Sequence, residues 1–558
     1  MIVSDFIINF LIKKKITDIF GIPGEIIFQF LYAADRRKPK INSHLNFHEQ
    51  NSCFAAIGYA RSSNKLGVAY ATRGPGITNM VTAVADAYND SVPIMVITAH
   101  AGDVPKNKMR VISDQEIDTM HIFKNITKYC ARIDNVNDAQ FHIEKAYFEA
   151  MNGRRGPVIL DFNKKIFSKK ISINKKFRYK KDKTSIEKIK KISNIINKNI
   201  QQSKSPIFLV GDGFRYTNSS NKLIEFSEKN KIPILSSRFC QDLFLKSKIF
   251  FGYFSSHGQR DANLILSKSD LIVSLGHRLL FLNNKSKSFK NAFQKKIIRI
   301  DIDAAELKRK VSTSINYNIK LEKIVNQLKN KKIEYINKSK WLNYCKNVKK
   351  KFFKEDLGYP ITLIISILKN IKRNIHIISD VGNNEFWLCR AYAYTKCINP
   401  IIYSKSYGTM GSSIGKAIGT YYATKKPVMC FIGDQALQML SSELQFIFSN
   451  KLPITIVLLN NSSSGMIRSK QKVRYGNHFI HTTLDSGYST PNFSKIIKSY
   501  NIKYYNIKKN DEKKIANILK NQKKPKLIEV KINPNIELIP HIPIGNEFQN
   551  LSPNIKRN

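Results

Sequence analysis

Two polar positions in the last third of the chain have the spacing of a metal site. Gly433-Asp434 follows one apolar, strand-like segment, and Asn460-Asn461 follows the next. Asp434 and Asn461 are 27 residues apart, which accommodates a strand end, a crossover helix and the next strand. Both side chains would then lie at the carboxyl edge of one parallel sheet, where open α/β folds bind ligands. Either half alone is typical of a polar turn, but the pair favours oxygen ligands for Mg²⁺ and a diphosphate.

A second candidate is Glu49, near the start of the chain. The triplet His48-Glu49-Gln50 follows a strand-like segment at 43–47 and precedes a helical pattern with several alanines. A glutamate at a helix start is usually a capping residue or one that complements the helix dipole. The pattern by itself therefore favours a structural role for Glu49.

The elements that must position these residues alternate between strand and helix. This alternation predicts an α/β fold with three doubly wound parallel-sheet domains, at 1–165, 190–328 and 356–540. Basic segments at 163–190 and 328–356 separate the three blocks, and the first and third blocks could share one architecture. The predicted strands are 16–20, 66–72, 93–99, 157–162, 207–210, 271–275, 297–302, 375–379, 428–432, 454–459 and 526–532.

The charge balance of the chain is strongly basic. The 558 residues include 93 Lys and Arg against 41 Asp and Glu, a net charge of +52. A basic surface of this kind could bind nucleic acid or anionic lipid. The lysines are spread over the whole chain without an aromatic RNA-binding motif. We therefore interpret the charge as a drift in composition and expect no nucleic-acid partner.

The cysteines and the apolar segments bear on the location of the protein. The seven cysteines are scattered, with no C-x-x-C pair and no zinc-type spacing. The first 15 residues lack the features of a signal peptide, and no apolar run approaches the ~18 residues that cross a membrane. We expect buried thiols in a reducing compartment, hence a cytoplasmic protein with no membrane partner.

The pair Asp434 and Asn461 resembles the diphosphate-binding motif of thiamine-diphosphate enzymes. That motif is Gly-Asp-Gly, about two dozen residues, and then Asn-Asn. The resemblance implies thiamine diphosphate and Mg²⁺ as cofactors. It implies metal ligation by the side chains of Asp434 and Asn461 and by the backbone carbonyl of Ser463. The third motif position is Gln435 in place of Gly, which is a departure from the pattern.

Glu49 also matches this family. His48-Glu49-Gln50, followed by the Gly58–Arg61 stretch, resembles the acetolactate synthase group. The resemblance implies that Glu49 is the acid that hydrogen-bonds N1′ of the aminopyrimidine ring. Proton donation there favours the imino tautomer, which removes the proton from C2 of the thiazolium.

Further matches occur in order along the chain. Segments 72–79, 86–93, 153–158 and 408–411 resemble T-S-G-P-G-A-T-N, D-A-x-x-D-S-x-P, R-x-G-P-V and G-T-M-G, with Arg73 in place of Ser. The resemblance implies that the large apolar residue of the last motif, Met410, holds the cofactor bent. The cofactor-binding residues that the resemblance implies are Gly24, Thr72, Gly74, Pro75, Gly76, Asn79, Gly408, Met410, Gly433, Asp434, Gln435, Asn461, Ser463, Gly465 and Met466.

The substrate and partners follow less directly from this resemblance. It implies decarboxylation of a 2-oxo acid, pyruvate first, and carboligation to an acceptor carbonyl. Lys470 stands where biosynthetic acetolactate synthases have Trp, and Asp114 stands where they have a pocket Phe. A carboligase for a keto-sugar nucleotide and a non-catalytic binding protein of the same fold are therefore alternatives. A homodimer or tetramer is expected, whereas FAD in the central domain and a regulatory small subunit stay open.

Overall fold

The computed structural model describes residues 1–102, 109–110, 113–171, 177–179, 184–280, 291–311, 314–352, 355–395, 397–509 and 511–555. Within them, eighteen strands form three six-stranded parallel sheets. The strands are β1 (Asp18–Gly21), β2 (Asn42–Leu45), β3 (Gly67–Tyr70), β4 (Ile94–His100), β5 (Tyr129–Ile133), β6 (Val158–Asn163), β7 (Pro206–Val210), β8 (Ile234–Ser236), β9 (Phe250–Tyr253), β10 (Leu271–Leu275), β11 (Lys296–Asp301), β12 (Ser314–Asn318), β13 (His376–Ser379), β14 (Ile401–Tyr403), β15 (Val428–Gly433), β16 (Ile454–Asn460), β17 (Lys503–Ile507) and β18 (Lys526–Lys531).

Helices connect the strands and cover the sheets. The first ten are α1 (Val3–Lys13), α2 (Phe28–Asp35), α3 (Glu49–Ser63), α4 (Pro75–Thr78), α5 (Val81–Asp90), α6 (Thr119–Phe123), α7 (Ala139–Met151), α8 (Ile186–Gln202), α9 (Ser220–Asn230) and α10 (Arg260–Lys268).

The remaining helices are α12 (Ala304–Leu307), α13 (Leu321–Leu328), α14 (Lys338–Phe352), α15 (Ile361–Lys369), α16 (Asn383–Tyr394), α17 (Ser412–Thr424), α18 (Asp434–Met439), α19 (Glu443–Ser449), α20 (Gly465–Tyr475), α21 (Phe493–Ser499) and α22 (Glu512–Lys520).

The first and third sheets have the same topology. Their strand orders are β2-β1-β3-β4-β6-β5 and β14-β13-β15-β16-β18-β17, which correspond strand by strand. In each sheet the chain reverses its direction of winding once, between β1 and β3 and between β13 and β15. Ligands of open α/β sheets bind beside such switch points. The predicted fold class is confirmed, and the first and third blocks share one architecture.

The strands form because short apolar, β-branched segments alternate with helical ones. All seven residues of β4 and of β16 are buried, as parallel strands covered on both faces must be. Helix α8 buries Ile192, Ile196 and Ile200, whose i, i+4 spacing places them on one face. Its first turn is capped by Ser185, whose hydroxyl accepts a hydrogen bond from the Lys188 amide.

The chain divides into two compact units. One comprises 1–180, 375–385 and 402–534 and contains the first and third sheets, whereas the other comprises 181–374, 386–401 and 535–558 and contains the second sheet. In the first unit, helices α3 and α17 pack without intervening side chains. A Cβ on Gly58 would lie 2.0 Å from the Lys416 carbonyl oxygen, and one on Gly419 would lie 1.7 Å from that of Ala55. Glycine is therefore required at this crossing.

The domain limits 1–165, 190–328 and 356–540 stay predictions, since the compact units follow a different division. Part of the predicted linker at 163–190 lies outside the described residues. The helical region after the glycine-rich loop consists of two helices, α4 and α5, separated by residues 79–80. Among the described helices, none has the length and hydropathy needed to cross a membrane.

Candidate active site

Glu49 is the first residue of α3 and lies beside the switch point of the first sheet. His48 is the N-cap of this helix, and its Nδ1 accepts a hydrogen bond from the Gln50 amide. Because His48 caps the helix, the half-buried carboxylate of Glu49 is free of that role. Oε2 of Glu49 accepts a 3.0 Å hydrogen bond from Asn79 Nδ2. The Glu49 carboxylate therefore has a side-chain partner outside its own helix.

The turn that precedes Glu49 is held by a carboxylate from the third domain. Oε1 of Glu443 accepts hydrogen bonds from the amides of Phe47 and His48, at 2.8 and 3.1 Å, and Oε2 accepts one from Asn46 Nδ2 at 2.9 Å. Glu443 is fully buried, and burial raises the pKa of its carboxyl, although these donors oppose the shift. Glu443 thus fixes where α3 begins, and with it the backbone of Glu49.

The glycine-rich loop after β3 packs against Glu49 and the loop after β1. A Cβ on Gly24 would lie 2.5 Å from Thr72 Cβ, and one on Gly76 would lie 2.8 Å from Thr72 Cγ2 and 3.6 Å from Glu49 Oε1. Gly74 has φ +60°, in the left-handed region that favours glycine. Pro75 is the first residue of α4. The structure therefore brings together the residues predicted for the first domain: Gly24, Glu49, Thr72, Gly74, Pro75, Gly76 and Asn79.

The second group of predicted residues lies beside the switch point of the third sheet. Asp434 begins α18 directly after β15, and Asn461 follows β16. Both side chains are buried, at 3% and 8% exposure. A Cβ on Gly465 would lie 2.6 Å from Asn461 Nδ2, so this glycine lets the chain pass close to the amide. The Ser463 hydroxyl donates a 2.6 Å hydrogen bond to the Thr482 carbonyl oxygen, which anchors the loop.

The carboxylate of Asp434 suits a bound cation. Its Oδ1 accepts the Gln435 amide, whereas its buried Oδ2 has no hydrogen bond of ordinary geometry, although Tyr488 lies close by. Burial raises the pKa of the Asp434 carboxyl to about 6. Both polar atoms of the nearby Asn383 amide are likewise buried without a partner. Unsatisfied buried oxygen and nitrogen atoms are costly, and a metal-bound diphosphate would satisfy them.

The Gly408–Gly411 segment borders the same group. Gly408 and Gly411 have φ values of +72° and +81°, and a Cβ on Gly408 would lie 3.7 Å from Val381. The amides of Gly411 and Ser413 donate to the fully buried Asp380 carboxylate at 3.0 and 2.9 Å. The half-buried side chain of Met410 packs against the core shared by the first and third sheets. Met466 is half-buried near the start of α20.

The two groups lie at the switch points of two different sheets. Among the described residues, no hydrogen bond joins Glu49 to Asp434. We refer to the Glu49 group and the Asp434 group as two half-sites.

Several polar residues that border the third-sheet group were not predicted from the sequence. Asp380, Asn383 and Asn384 follow β13, and a Cβ on Gly433 would lie 3.7 Å from Asn384 Oδ1. The strand-end rule that located Asp434 could have found them, because β13 and β15 are adjacent. Glu443 and Tyr488 carry no comparable signal, since only the folded chain brings them to Glu49 and Asp434.

The positions that depart from the biosynthetic pattern are polar and accessible. Asp114 and Lys470 are exposed. Arg73 forms a 3.0 Å ion pair with Glu116, whose side chain is 1% exposed and also accepts the Ala101 amide. The Glu116 carboxylate balances the positive charge that Arg73 adds beside the glycine-rich loop.

In the second sheet, the switch point lies between β7 and β10. The amides of Gly211 and Gly213 donate to the carbonyl oxygens of Leu275 and Gly276, at 2.9 and 3.3 Å. These amides already have acceptors and are not free for a dinucleotide phosphate. Residues 281–290, which follow β10, lie outside the described part of the chain.

Three family descriptions match successive parts of the chain. Residues 1–122 match the N-terminal TPP binding domain of thiamine pyrophosphate enzymes, 194–328 match their central domain, and 380–530 match their C-terminal TPP binding domain. The two TPP binding domains contain the Glu49 group and the Asp434 group described above. The fold and the site thus define the class of thiamine pyrophosphate enzymes.

Curated relatives cover almost the whole chain. The chain is 32% identical to the acetolactate synthase large subunit of Lactococcus lactis subsp. lactis, over 97% of this chain and 94% of that protein. It is 31% identical to the acetolactate synthase large subunit of Buchnera aphidicola subsp. Schizaphis graminum, over 91% and 90%. It is 30% identical to the probable acetolactate synthase large subunit of Methanococcus aeolicus, over 98% and 94%. The chain belongs to the acetolactate synthase large subunit family.

Proposed function

We propose that the protein decarboxylates a 2-oxo acid, pyruvate first, and joins the resulting two-carbon unit to an acceptor carbonyl with thiamine diphosphate. The observation that carries this proposal is the pair of half-sites at the switch points of two sheets with one topology. One offers a positioned carboxylate, Glu49, and the other offers buried oxygen ligands at Asp434 and Asn461. The named relatives support the same reaction.

The cofactor, when bound, supplies the thiazolium carbon that adds to the keto carbon and stores the electron pair released with carbon dioxide. In this proposal Glu49 holds and donates the proton at N1′ of the aminopyrimidine ring. Asn79 orients that carboxylate through its 3.0 Å hydrogen bond, and Glu443 fixes the turn before it. Gly24, Thr72 and Gly76 leave room for the ring because they carry small side chains or none.

The diphosphate and Mg²⁺ belong at the third sheet. The side chains of Asp434 and Asn461 and the backbone carbonyl of Ser463 serve as the protein ligands of the ion. Gly433, Gln435, Gly465 and Met466 line the same loops, and Gly408 and Met410 support the aminopyrimidine ring. The unsatisfied Asp434 Oδ2 and Asn383 amide support this placement.

In the proposed site, the Glu49 half-site of one copy of the chain faces the Asp434 half-site of a second copy. We propose at least a homodimer, which a tetramer would extend. Seven free cysteines support a cytoplasmic location, where thiols stay reduced. The two half-sites require neither a regulatory small subunit nor FAD. Binding measurements with the purified protein test whether either of them binds.

The acceptor follows from the relatives more than from the site. Acetolactate synthesis requires a second 2-oxo acid as acceptor, and this is the acceptor that we propose. Neither a keto-sugar nucleotide nor a non-catalytic role is favoured, because both half-sites retain their polar residues and every relative named above is an acetolactate synthase subunit.

Product analysis tests the proposal directly. Purified protein is incubated with pyruvate, thiamine diphosphate and Mg²⁺, alone and with 2-oxobutanoate or a keto-sugar nucleotide. We expect carbon dioxide and acetolactate from pyruvate alone. If carbon dioxide is released without an acetohydroxy acid and a branched sugar forms, the acceptor is the keto-sugar nucleotide and the proposed 2-oxo acid acceptor is wrong. No consumption of pyruvate under any condition would refute the proposed reaction.

A further inference from the structure

The segment Asp86–Asp90, part of one of the family motifs, has no role in the site as described so far. Asp86 lies in α5, in the first domain, and is fully buried. Its carboxylate is 3.0 Å from Nζ of Lys416 in α17, a side chain that is 1% exposed. Burial raises the pKa of Asp86, and Lys416 opposes that shift. A buried ion pair of this kind is costly to form and costly to break on one side only.

Hydrogen bonds connect this ion pair to residues 404–412, here called the 404–412 loop, which contains the Gly408–Gly411 segment. The Thr409 hydroxyl donates to Asp86 Oδ1 at 3.1 Å. Nζ of Lys416 donates to the hydroxyls of Ser404 and Ser412, at 3.2 and 3.0 Å, and these residues lie on either side of Thr409. The ion pair is therefore hydrogen-bonded to both ends and to the middle of the 404–412 loop.

Asp90, at the end of α5, binds the beginning of the 404–412 loop. Its two carboxylate oxygens accept the backbone amides of Lys405 and Ser406, at 3.0 and 2.9 Å. The Lys405 ammonium also donates to the Asp90 carbonyl oxygen at 3.3 Å. Two carboxylates one helical turn apart in the first domain thus bind one loop of the third domain. That loop follows the short strand β14 and contains two glycines with positive φ.

We infer that Asp86 and Asp90 are positioning residues that hold the 404–412 loop, and with it Met410, in the geometry that the cofactor ring requires. This inference rests on the proposed function for the identity of the ring. The physical reason is preorganisation. A loop that is already fixed before the cofactor binds does not lose conformational freedom when it binds. The role does not require Asp86 or Asp90 to touch the cofactor.

Thr409 offers the cleanest test, because Thr409→Val removes the hydroxyl bond to Asp86 while it keeps the shape of the side chain. Thr409→Ser keeps the hydroxyl and is the conservative rescue. Thr424→Val is the matched control, since it removes a hydroxyl at the far end of α17 that donates to the Thr420 carbonyl oxygen and accepts the Lys426 amide, and neither partner belongs to the 404–412 loop. Asp86→Asn is a second variant that keeps an acceptor for Thr409 and removes the charge facing Lys416.

The first measurement is amide hydrogen exchange of the cofactor-free full chain, read by mass spectrometry on peptides that cover 404–412. The hydrogen bond from the Thr409 hydroxyl to a buried carboxylate opposes local opening of the loop, and amides exchange only when the loop opens. We therefore expect amide exchange in Thr409→Val to rise roughly tenfold or more in this loop alone. Thr409→Ser and Thr424→Val should exchange like the wild type. Unchanged exchange in Thr409→Val, or a uniform rise over the whole chain, would overturn the inference.

The second measurement is the dissociation constant of thiamine diphosphate at saturating Mg²⁺. Thr409→Val should weaken it roughly tenfold and leave the KM for pyruvate unchanged at saturating cofactor. A loop that exchanges faster without any loss of cofactor affinity would make the role purely structural and would overturn the inference. If the wild type itself fails to bind thiamine diphosphate, the proposed function fails and the assignment to the cofactor ring fails with it, whereas the exchange result still reports whether Thr409 and Asp86 fix the loop.

Discussion

Asp434→Asn should stabilise the cofactor-free protein while it abolishes metal binding. Burial raises the pKa of the Asp434 carboxyl to about 6 in the folded chain, against an ordinary value of 3.8. A shift of about two pKa units corresponds to ~3 kcal/mol of folding free energy, lost at a pH above both values. The sign follows because a raised acid pKa penalises the folded state only where the unfolded carboxyl is ionised. The penalty is therefore absent below pH 4, grows up to pH 6 and is constant above it.

Thermal unfolding in EDTA measures this effect. With an unfolding entropy of ~2.1 cal/mol/K per residue, ~3 kcal/mol shifts the Tm of a 558-residue chain by ~3 °C. The variant should exceed the wild type by this amount at pH 7.5 and by about half of it at pH 5. Asp485→Asn, at an exposed carboxylate, should change nothing. With Mg²⁺ and thiamine diphosphate the order should reverse, because only the wild type gains binding energy. A variant that is no more stable than the wild type in EDTA at pH 7.5 would refute the reasoning.

Three other predictions follow from the site. Glu443→Ala removes the acceptor of the Phe47 and His48 amides and should lower Tm and slow turnover by roughly tenfold or more, whereas Glu443→Asp should do less harm; equal activity of the alanine variant and the wild type would contradict this. Mixing inactive Glu49→Gln and Asp434→Ala chains should restore activity, and no recovery after subunit exchange would count against shared sites. Thiamine diphosphate should bind in calorimetry only with a divalent ion, and binding in EDTA would remove the metal assignment.

Most central strands could be predicted from the sequence, but several edge strands, such as β12 and β17, could not. β4, β15 and β16 are continuous apolar segments, because both faces of a central parallel strand are buried. β12 and β17 lie at sheet edges, where most of their residues are partly exposed and therefore polar. Such strands have no apolar period to recognise, and only pairing with a neighbour defines them.

The site shows the same division between local and long-range information. Asp434 and Asn461 could be found because each follows a strand directly and the spacing between them is fixed by one crossover. Glu443 could not be found, since its role depends on the turn at 46–48, almost four hundred residues away. Its position between the two metal-ligand candidates gave no reason to connect it with Glu49.

The central claim is that Glu49 is the acid that activates thiamine diphosphate. Exchange of the cofactor C2 proton into deuterated water, followed by quench and proton NMR on the protein–cofactor complex, tests it most directly. Wild type should exchange this proton roughly 10²–10⁴-fold faster than Glu49→Gln, the range that a positioned general acid contributes. The variant should keep most of its cofactor affinity, because the diphosphate site is intact. Equal exchange rates in the two proteins, at full cofactor occupancy, would contradict the account and reduce Glu49 to a carboxylate at a helix start.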